Sequence, residues 1–138
     1  NPRPDISTVK AFSDALVSAK KIVVPGSTSG IYLTSELFPK LGISNQISTQ
    51  VTERGSQATA LLAAREANIA VQPSSELVNI SGIDYVGPIP AELQLIQTFA
   101  AARVVNSSNT EIAKKLIEYL SSPNAAGPIE HGGMNTIR

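Results

Sequence analysis

Hydrophobic residues recur at helical spacing near the start of the chain. The apolar positions of residues 7–20 fall on one face and the charged positions on the other, which predicts an amphipathic helix with Ser7 or Asp5 as its N-cap. The apolar run at residues 21–24 ends at Pro25-Gly26, which predicts a buried strand followed by a turn. The chain is therefore expected to open with a helix and then a strand.

The alternation of helix and strand continues along the chain. The predicted elements that follow are a helix from Ser27–Gly30 to near Gly42, a strand at 50–53, a helix at 55–67, a strand at 69–71, a loop or one helical turn at 73–77, and strands at 85–86 and 93–105. Short strands that alternate with helices are typical of a mostly parallel sheet. The pattern therefore predicts an α/β fold.

The last part of the chain has the pattern of a helix with one apolar face. Ser108 and Glu111 have the spacing of a capping box, which would start this helix. Its apolar positions are Ile112, Leu116, Ile117 and Leu120. A break at Ser122-Pro123 precedes a shorter helix, which is predicted over residues 125–131.

Composition excludes several classes of protein. The 138 residues carry 11 Lys and Arg against 11 Asp and Glu, so the neutral chain offers no electrostatic reason to expect nucleic acid or an anionic membrane as partner. The sequence has no Cys, which excludes a disulfide framework and a thiol nucleophile. No apolar run approaches the ~18 residues of a membrane span, so no membrane insertion is expected. With one His and no carboxylate spacing typical of metal ligands, we expect neither metal nor cofactor.

Small hydroxyl residues occupy the predicted junction between the first strand and the second helix. The candidates are Ser27, Thr28, Ser29 and Gly30. Backbone N–H groups at a helix start bind anions, helped by the helix dipole, and hydroxyl groups add donors without bulk. The alternative is that these residues only cap the helix, because Ser and Thr are favoured there. The motif is neither a P-loop, since no Lys follows Gly30, nor a nucleophile elbow, since Thr28 stands where Ser is required.

A second candidate site lies at the next predicted junction of strand and helix. Arg54, Gly55 and Ser56 stand where the second strand passes into the alanine-rich helix. Because ligands collect outside the carboxyl ends of parallel strands, both junctions are expected to face one crevice. Capping, with Arg54 as a solvated surface charge, is the alternative for this junction too.

Several short motifs follow one another in a recognisable order. They are Pro4-Asp5-Ile6-Ser7-Thr8, Ser29-Gly30-Ile31-Tyr32-Leu33, Leu41-Gly42-Ile43, Ala70-Val71-Gln72, Ser75-Glu76-Leu77, Val86-Gly87-Pro88-Ile89-Pro90-Ala91-Glu92-Leu93-Gln94, the Asn109–Asn124 helix and Gly133-Met134. Their order and spacing resemble bacterial extracellular solute-binding proteins of the molybdate-binding type, and the resemblance covers nearly all of the chain. It implies the type II periplasmic-binding-protein fold.

The resemblance implies a division of the chain. Residues 1–92 would form the second lobe, which is the α/β half that binds ligand, and residues 93–105 a strand that returns between lobes. Residues 106–138 would form C-terminal helices that pack on a first lobe. We expect that lobe to be missing from this chain, which begins at Asn1 as a processed or trimmed product. The uncovered apolar face of the C-terminal helices then predicts association with a second chain or a domain swap.

The resemblance also implies a function and its residues. A protein of this type clamps a small anion, either an oxyanion or a small carboxylate, between two lobes and delivers it to an ABC transporter permease, in the periplasm or outside the cell. By position, the ligand contacts fall on the backbone of Ser29 with its neighbours Thr28 and Gly30 and of Gly55 with Ser56 beside it, and Arg54 or Gln72 adds a polar contact. Pro73 stands near the position of a Tyr that molybdate-binding members use, which argues against molybdate.

Two other functions remain open. Proteins that resemble the same group include isomerases of small tricarboxylic acids such as aconitate, which would place this protein in the cytoplasm. That reaction needs a general base, and the chain offers carboxylates, His131 and the tyrosines Tyr32, Tyr85 and Tyr119. The other alternative is a regulatory domain that senses a ligand.

Overall fold

A computed structural model describes residues 3–137 of the chain, which divide into two compact units, one ending at Leu95 and the other beginning at Ile96. The first unit contains helix α1 (Val9–Ser18), strand β1 (Ile22–Pro25), helix α2 (Thr28–Tyr32), a π-helical segment (Leu33–Leu37), helix α3 (Phe38–Lys40), strand β2 (Thr49–Thr52), helix α4 (Gly55–Ala63), strand β3 (Ile69–Ala70) and 3₁₀ turns at Ser74–Glu76 and Ala91–Leu93. The predicted α/β fold is confirmed.

The three strands of the described residues form one parallel sheet in the order β2-β1-β3. Ile22 at the start of β1 lies opposite Thr49 on one side and Ile69 on the other. Every residue of β1 is buried, as expected for a continuous apolar run in a central parallel strand. Because the strands are parallel, their carboxyl ends lie along the same edge of the sheet.

The side chains of β1 alternate between two hydrophobic clusters. Ile22 and Val24 pack with residues of α1, α2 and α3 and of the π-helical segment, whereas Val23 packs against Ala58 of α4 and Ala67. The first cluster also contains the buried residues Phe12, Leu16, Leu33, Leu37, Phe38, Ile43, Val71 and Leu93. Helices therefore cover both faces of the sheet, and α4 packs on the face of Val23.

Helix α1 begins at Val9 rather than at residue 7, and its N-cap lies one residue after Ser7. Thr8 is its N-cap, and the Thr8 hydroxyl accepts from the N–H of Ala11 at 3.1 Å. Asp5 instead accepts from the N–H of Ser7 at 2.9 Å, and this hydrogen bond lowers the pKa of the Asp5 carboxyl. The prediction of Ser7 or Asp5 as the cap is therefore wrong, since Asp5 forms a local turn ahead of the helix.

The second helix contains one wide turn. The N–H of Phe38 donates to the carbonyl of Leu33, five residues back, where an α-helix would use a residue four back. Pro39 follows at once; it has no N–H to donate, and its ring would collide with the carbonyl four residues earlier in a regular helix. The hydroxyl of Thr34 donates to the carbonyl of Gly30 at 2.9 Å. The wide turn thus lets the helix continue past a proline.

The predicted strand at residues 85–86 is not formed. The carbonyls of Tyr85 and Val86 accept from the Arg3 guanidinium at 2.9 Å and 3.1 Å, respectively. The Tyr85 hydroxyl lies 2.8 Å from the hydroxyl of Ser74. A side chain rather than a neighbouring strand therefore satisfies these backbone groups.

The second unit contains helix α5 (Thr110–Leu120), a 3₁₀ turn (Pro123–Ala125) and helix α6 (Ala126–His131), so both predicted C-terminal helices are confirmed. The strand predicted over residues 93–105 is not formed, since 94–104 have no regular secondary structure. A strand needs a neighbour to pair its backbone groups, and no strand of residues 3–137 pairs with this segment.

The predicted capping box of α5 is also not formed. Asn109 is the N-cap, and its side chain makes no capping hydrogen bond. The Ser107 hydroxyl accepts from the N–H of Asn109 at 3.1 Å, and the Thr110 hydroxyl donates to the carbonyl of Ser107 at 2.8 Å. The helix therefore begins one residue too late for Ser108 and Glu111 to pair in a capping box.

Helix α5 presents apolar side chains to solvent. Ile112 is 69% exposed, Leu116 56% and Leu120 46%, and the preceding segment adds Phe99 at 74%. Large exposed apolar patches mark interaction surfaces. Among the described residues, no helix has the length and hydrophobicity required to cross a bilayer.

Candidate functional site

Three segments of the chain meet at the carboxyl edge of the sheet. Residues 26–30 follow β1, residues 53–56 follow β2, and Gln72 follows β3. The first segment contacts the end of β2, because the N–H of Gly26 donates to the carbonyl of Thr52, the residue before the second segment, at 2.6 Å. This edge is where open parallel sheets bind ligands, and it carries every residue that the sequence predicts for the site.

The hydroxyl groups that follow β1 are not used as helix caps. Ser27 is the N-cap of α2, with extended backbone, yet its side chain makes no capping hydrogen bond. Its hydroxyl lies 3.2 Å from that of Ser29. Thr28 is exposed, and its side chain makes no hydrogen bond with other residues of the described range 3–137. The hydroxyls of Ser27 and Thr28, with the unpaired N–H groups of the helix start, are therefore accessible to a ligand.

Gly30 is buried beneath these hydroxyls rather than exposed among them. A β-carbon at this position would overlap the carbonyl oxygen of Pro25 and lie 2.8 Å from its carbonyl carbon. Only glycine lets α2 pack so closely on the end of β1. Gly30 thus contributes to the site by fixing where the helix begins.

The second segment combines a helix start with a positive charge. Arg54 is the N-cap of α4, and its N–H donates to Oε1 of Gln57 at 3.2 Å. The guanidinium carries donors only, so the Arg54 side chain cannot accept from the helix N–H groups. It is exposed and forms no ion pair within residues 3–137, and Ser56 beside it is exposed as well. Both side chains are free to contact a ligand.

The third segment brings two polar side chains to the start of α4. Nε2 of Gln72 donates to the carbonyl of Glu76 at 3.1 Å, while Oε1 of Gln72 is buried and has no hydrogen-bond partner in the described part of the chain. The carboxylate of Glu76 lies against Gly55, where a β-carbon would be 3.0 Å from Cδ of Glu76 and 3.5 Å from Nε2 of Gln72. Gln72 and Gly55 are therefore neighbours, as the predicted common crevice requires.

Glu76 is the residue that the sequence reasoning missed. Its motif, Ser75-Glu76-Leu77, supports the family resemblance, but a single acid in a loop gives no sign of its neighbours. With Glu53 also exposed at this edge, two carboxylates accompany the one guanidinium of Arg54. Oriented N–H and hydroxyl groups must therefore provide most of the attraction for an anion.

The described residues contain no group of three or more acidic or imidazole side chains arranged to hold a metal ion. The second unit has a depression of about 460 Å³. Its lining residues are Arg103, Thr110, Glu111, Lys114, Ile117 and Glu118. None of the predicted site residues belongs to it.

Known proteins resemble this chain over almost its whole length. Residues 1–135 match the family model of the bacterial extracellular solute-binding proteins. The chain is 34% identical over 137 residues to an aconitate isomerase from Pseudomonas sp, an alignment that covers 99% of this chain and 52% of that protein. The chain thus spans about half the length of this relative. No solved structure matches this chain.

Proposed function

Since this chain belongs to the family of bacterial extracellular solute-binding proteins, we propose that it binds a small anionic solute at the carboxyl edge of its sheet. The observation that carries the proposal is that two helix starts, at Thr28 and at Gly55, lie at this edge. The first two N–H groups of each helix and the hydroxyls of Thr28 and Ser56 have no partner among the described residues. Helix starts bind anions through these groups even in a chain of zero net charge.

In this proposal the chain supplies one half of the site. Residues 1–92 are the second lobe, residues 93–105 return between the lobes, and residues 106–138 pack on a first lobe supplied by a longer protein. Closure of the lobes about a hinge would bury the solute and exclude water. The longer protein would act in the periplasm and pass its solute to an ABC transporter permease.

We favour a small carboxylate over molybdate as the solute. Pro73 stands near the position at which molybdate-binding members use a Tyr, and Pro has neither a hydroxyl nor an N–H to donate. A relative that is 34% identical to this chain over 137 residues is named for aconitate, a small tricarboxylate. Several carboxylate groups on one ligand could reach both helix starts.

Thermal unfolding of the full-length protein with citrate, cis-aconitate, sulfate and molybdate tests this proposal. A solute at about 100 times its Kd adds about 2.7 kcal/mol to the free energy of unfolding. For a protein of roughly 250 residues this corresponds to a rise in Tm of about 5 to 10 °C. We expect such a rise with a carboxylate; no rise with any of the four anions would contradict the proposal.

A matched pair of variants locates the binding. Thr28→Val removes an exposed hydroxyl that has no partner among residues 3–137, so it should weaken binding about three- to tenfold without loss of stability. Ser44→Ala removes an exposed hydroxyl from the loop that precedes β2, at the opposite edge of the sheet, and should leave the Kd unchanged. Equal effects of the two substitutions on the Kd would place the solute elsewhere.

An isomerase of a small tricarboxylic acid is the second candidate, and the identity to an aconitate isomerase favours it. Interconversion of cis- and trans-aconitate requires a base that removes a proton from one carbon of the allylic system and returns a proton to another. The Tyr32 hydroxyl donates to the carbonyl of Leu93 at 3.0 Å and that of Tyr85 is bonded to Ser74, so neither is a free base. The candidates at the described edge are therefore the carboxylates Glu53 and Glu76.

Proton NMR distinguishes the two functions. The full-length protein is incubated with cis-aconitate, and the vinyl proton signal of trans-aconitate is followed with time. Binding without appearance of the trans isomer supports a solute-binding protein, whereas turnover supports the isomerase.

A further inference from the structure

The Glu76 carboxylate stands where an anion is expected to bind. It lies against Gly55, the first residue of α4, so closely that no residue with a side chain fits without displacing it. The carboxylate makes no hydrogen bond or ion pair with other residues in the described part of the chain, although the first N–H groups of α4 have no intrahelical acceptor. A negative charge near a helix start is attracted by the helix dipole.

We propose that Glu76 occupies the position of a solute carboxylate at the start of α4, and that the solute must displace it to bind. This inference rests on the proposed function, because it concerns the same edge of the sheet. Glu76 then determines specificity. An anion that contacts only one segment gains too little binding free energy to displace the Glu76 carboxylate, whereas a ligand that contacts both helix starts gains enough.

The backbone of Glu76 is held while its carboxylate can move. Its N–H donates to the carbonyl of Pro73 at 2.9 Å, and its carbonyl accepts from Nε2 of Gln72 at 3.1 Å. The side chain itself is exposed, so it can turn away without disturbing these bonds. Displacement therefore requires a change of rotamer and no rearrangement of the turn.

Gln72 provides an independent sign that this arrangement changes on binding. Its Oε1 is buried and unpaired among the described residues, and a buried acceptor without a donor is unfavourable. Nε2 of the same amide lies beside Gly55 and therefore beside Glu76. Movement of the Glu76 carboxylate opens the space beside this amide, so that a hydroxyl group of the solute or a water molecule can donate to Oε1 while Nε2 keeps its bond to the Glu76 carbonyl.

Substitution of Glu76 in the full-length protein tests the inference, with citrate and cis-aconitate as the probes. Glu76→Gln removes the charge at nearly the same size, and we expect the Kd for the bound probe to fall about three- to tenfold. Glu76→Asp keeps the charge but withdraws it by one methylene group, so its Kd should lie between those of the wild type and Glu76→Gln. Glu36→Gln, an exposed acid in the π-helical segment, is the matched control and should leave the Kd unchanged.

The outcomes separate this inference from the proposed function. If neither the wild type nor any variant binds a probe, the proposed function fails. If the wild type binds and Glu76→Gln binds equally well or more weakly, Glu76 does not compete with the solute and the inference is overturned. If Glu76→Gln changes the Kd more at low than at high ionic strength, the Glu76 carboxylate and the anionic solute compete through their charges. Thermal unfolding without probe verifies that the variants fold.

Discussion

Substitution of Gly30 by Ala tests how the helix start of the site is positioned. In an ordinary helix this change stabilises by about 1 kcal/mol, because Ala loses less backbone entropy than Gly. Here the new β-carbon would overlap the carbonyl oxygen of Pro25 and lie 2.8 Å from its carbonyl carbon, against a favourable carbon–carbon distance of about 3.5 to 4.0 Å. The end of β1 and the start of α2 must therefore separate by roughly 1 Å.

The expected magnitude follows from the nature of the clash. Both partners are backbone, so no rotamer can relieve the overlap. Overpacking of a buried site typically costs about 1 to 3 kcal/mol and occasionally more. We expect Gly30→Ala to lower the free energy of unfolding by about 2 kcal/mol even after the helix preference for Ala is counted. The hydroxyls of Ser27 and Thr28 shift with the helix start, so the solute affinity should fall as well.

Urea unfolding followed by far-ultraviolet circular dichroism measures this effect. Gly127→Ala in α6 is the matched control, because a β-carbon at Gly127 meets no atom within 4 Å. The control should be as stable as the wild type or more so. If Gly30→Ala is as stable as the wild type and binds solute normally, the close packing of α2 on Pro25 does not position the site.

Three further predictions follow from local contacts. Gly55→Ala should lower the free energy of unfolding, measured in urea, by less than about 1 kcal/mol, because the β-carbon of the new alanine meets the flexible end of the Glu76 side chain. A decrease of more than about 2 kcal/mol would contradict this expectation. The hydrogen bond from the Ser7 N–H lowers the pKa of the Asp5 carboxyl, so the ionised carboxylate stabilises the fold above about pH 4. This stabilisation disappears as the pH falls through the pKa of Asp5 in the folded state. Asp5→Asn should therefore lower Tm near neutral pH and match the wild type in strong acid, and a Tm difference that persists in strong acid would exclude this origin. Leu116→Lys should change the unfolding free energy of the 138-residue chain by less than about 0.5 kcal/mol, because Leu116 is exposed. If α5 packs on a first lobe, the same substitution should lower the unfolding free energy of the longer protein by about 2 kcal/mol or more. Equal effects in the two proteins would argue against that packing.

The sheet was predictable because apolar runs report burial. The run at 21–24 becomes β1 with a shift of one residue, and its central place in the sheet explains why all of it is apolar. The same signal is misleading over residues 93–105. Apolar composition indicates a preference for burial, but a strand also needs a neighbouring backbone, which a local pattern cannot report.

The ends of helices were harder to predict, because several residues compete for each cap. Thr8 rather than Ser7 caps α1, and Asn109 rather than Ser108 precedes α5. Each shift is a single residue, yet in α5 it is enough to prevent the capping box. The wide turn before Pro39 was not foreseen, since the same apolar spacing suits a regular helix interrupted by a proline.

The positions of the strand–helix junctions at the candidate site were predictable from the sequence, whereas the position of the Glu76 carboxylate was not. Junctions of strand and helix can be recognised from Gly, Ser and Thr, and parallel strands bring those junctions to one edge. The approach of Glu76 to Gly55 depends on how the turn after β3 packs beside α4, which is a tertiary contact. Nothing in the residues near Glu76 encodes it.

The wide turn at Leu33–Leu37 also preserves the phase of the helix between the site and the core. A wide turn takes up one residue more than an α-helical turn, so the chain gains a residue while the two ends of the helix keep nearly the same relative orientation. Gly30 is anchored against Pro25 at one end and Phe38 is buried in the core at the other. Deletion of the exposed Ser35 would restore a regular α-helical turn, in which the ring of Pro39 collides with the carbonyl four residues before it. The additional residue therefore keeps the proline in the helix without moving the hydroxyls of Ser27 and Thr28.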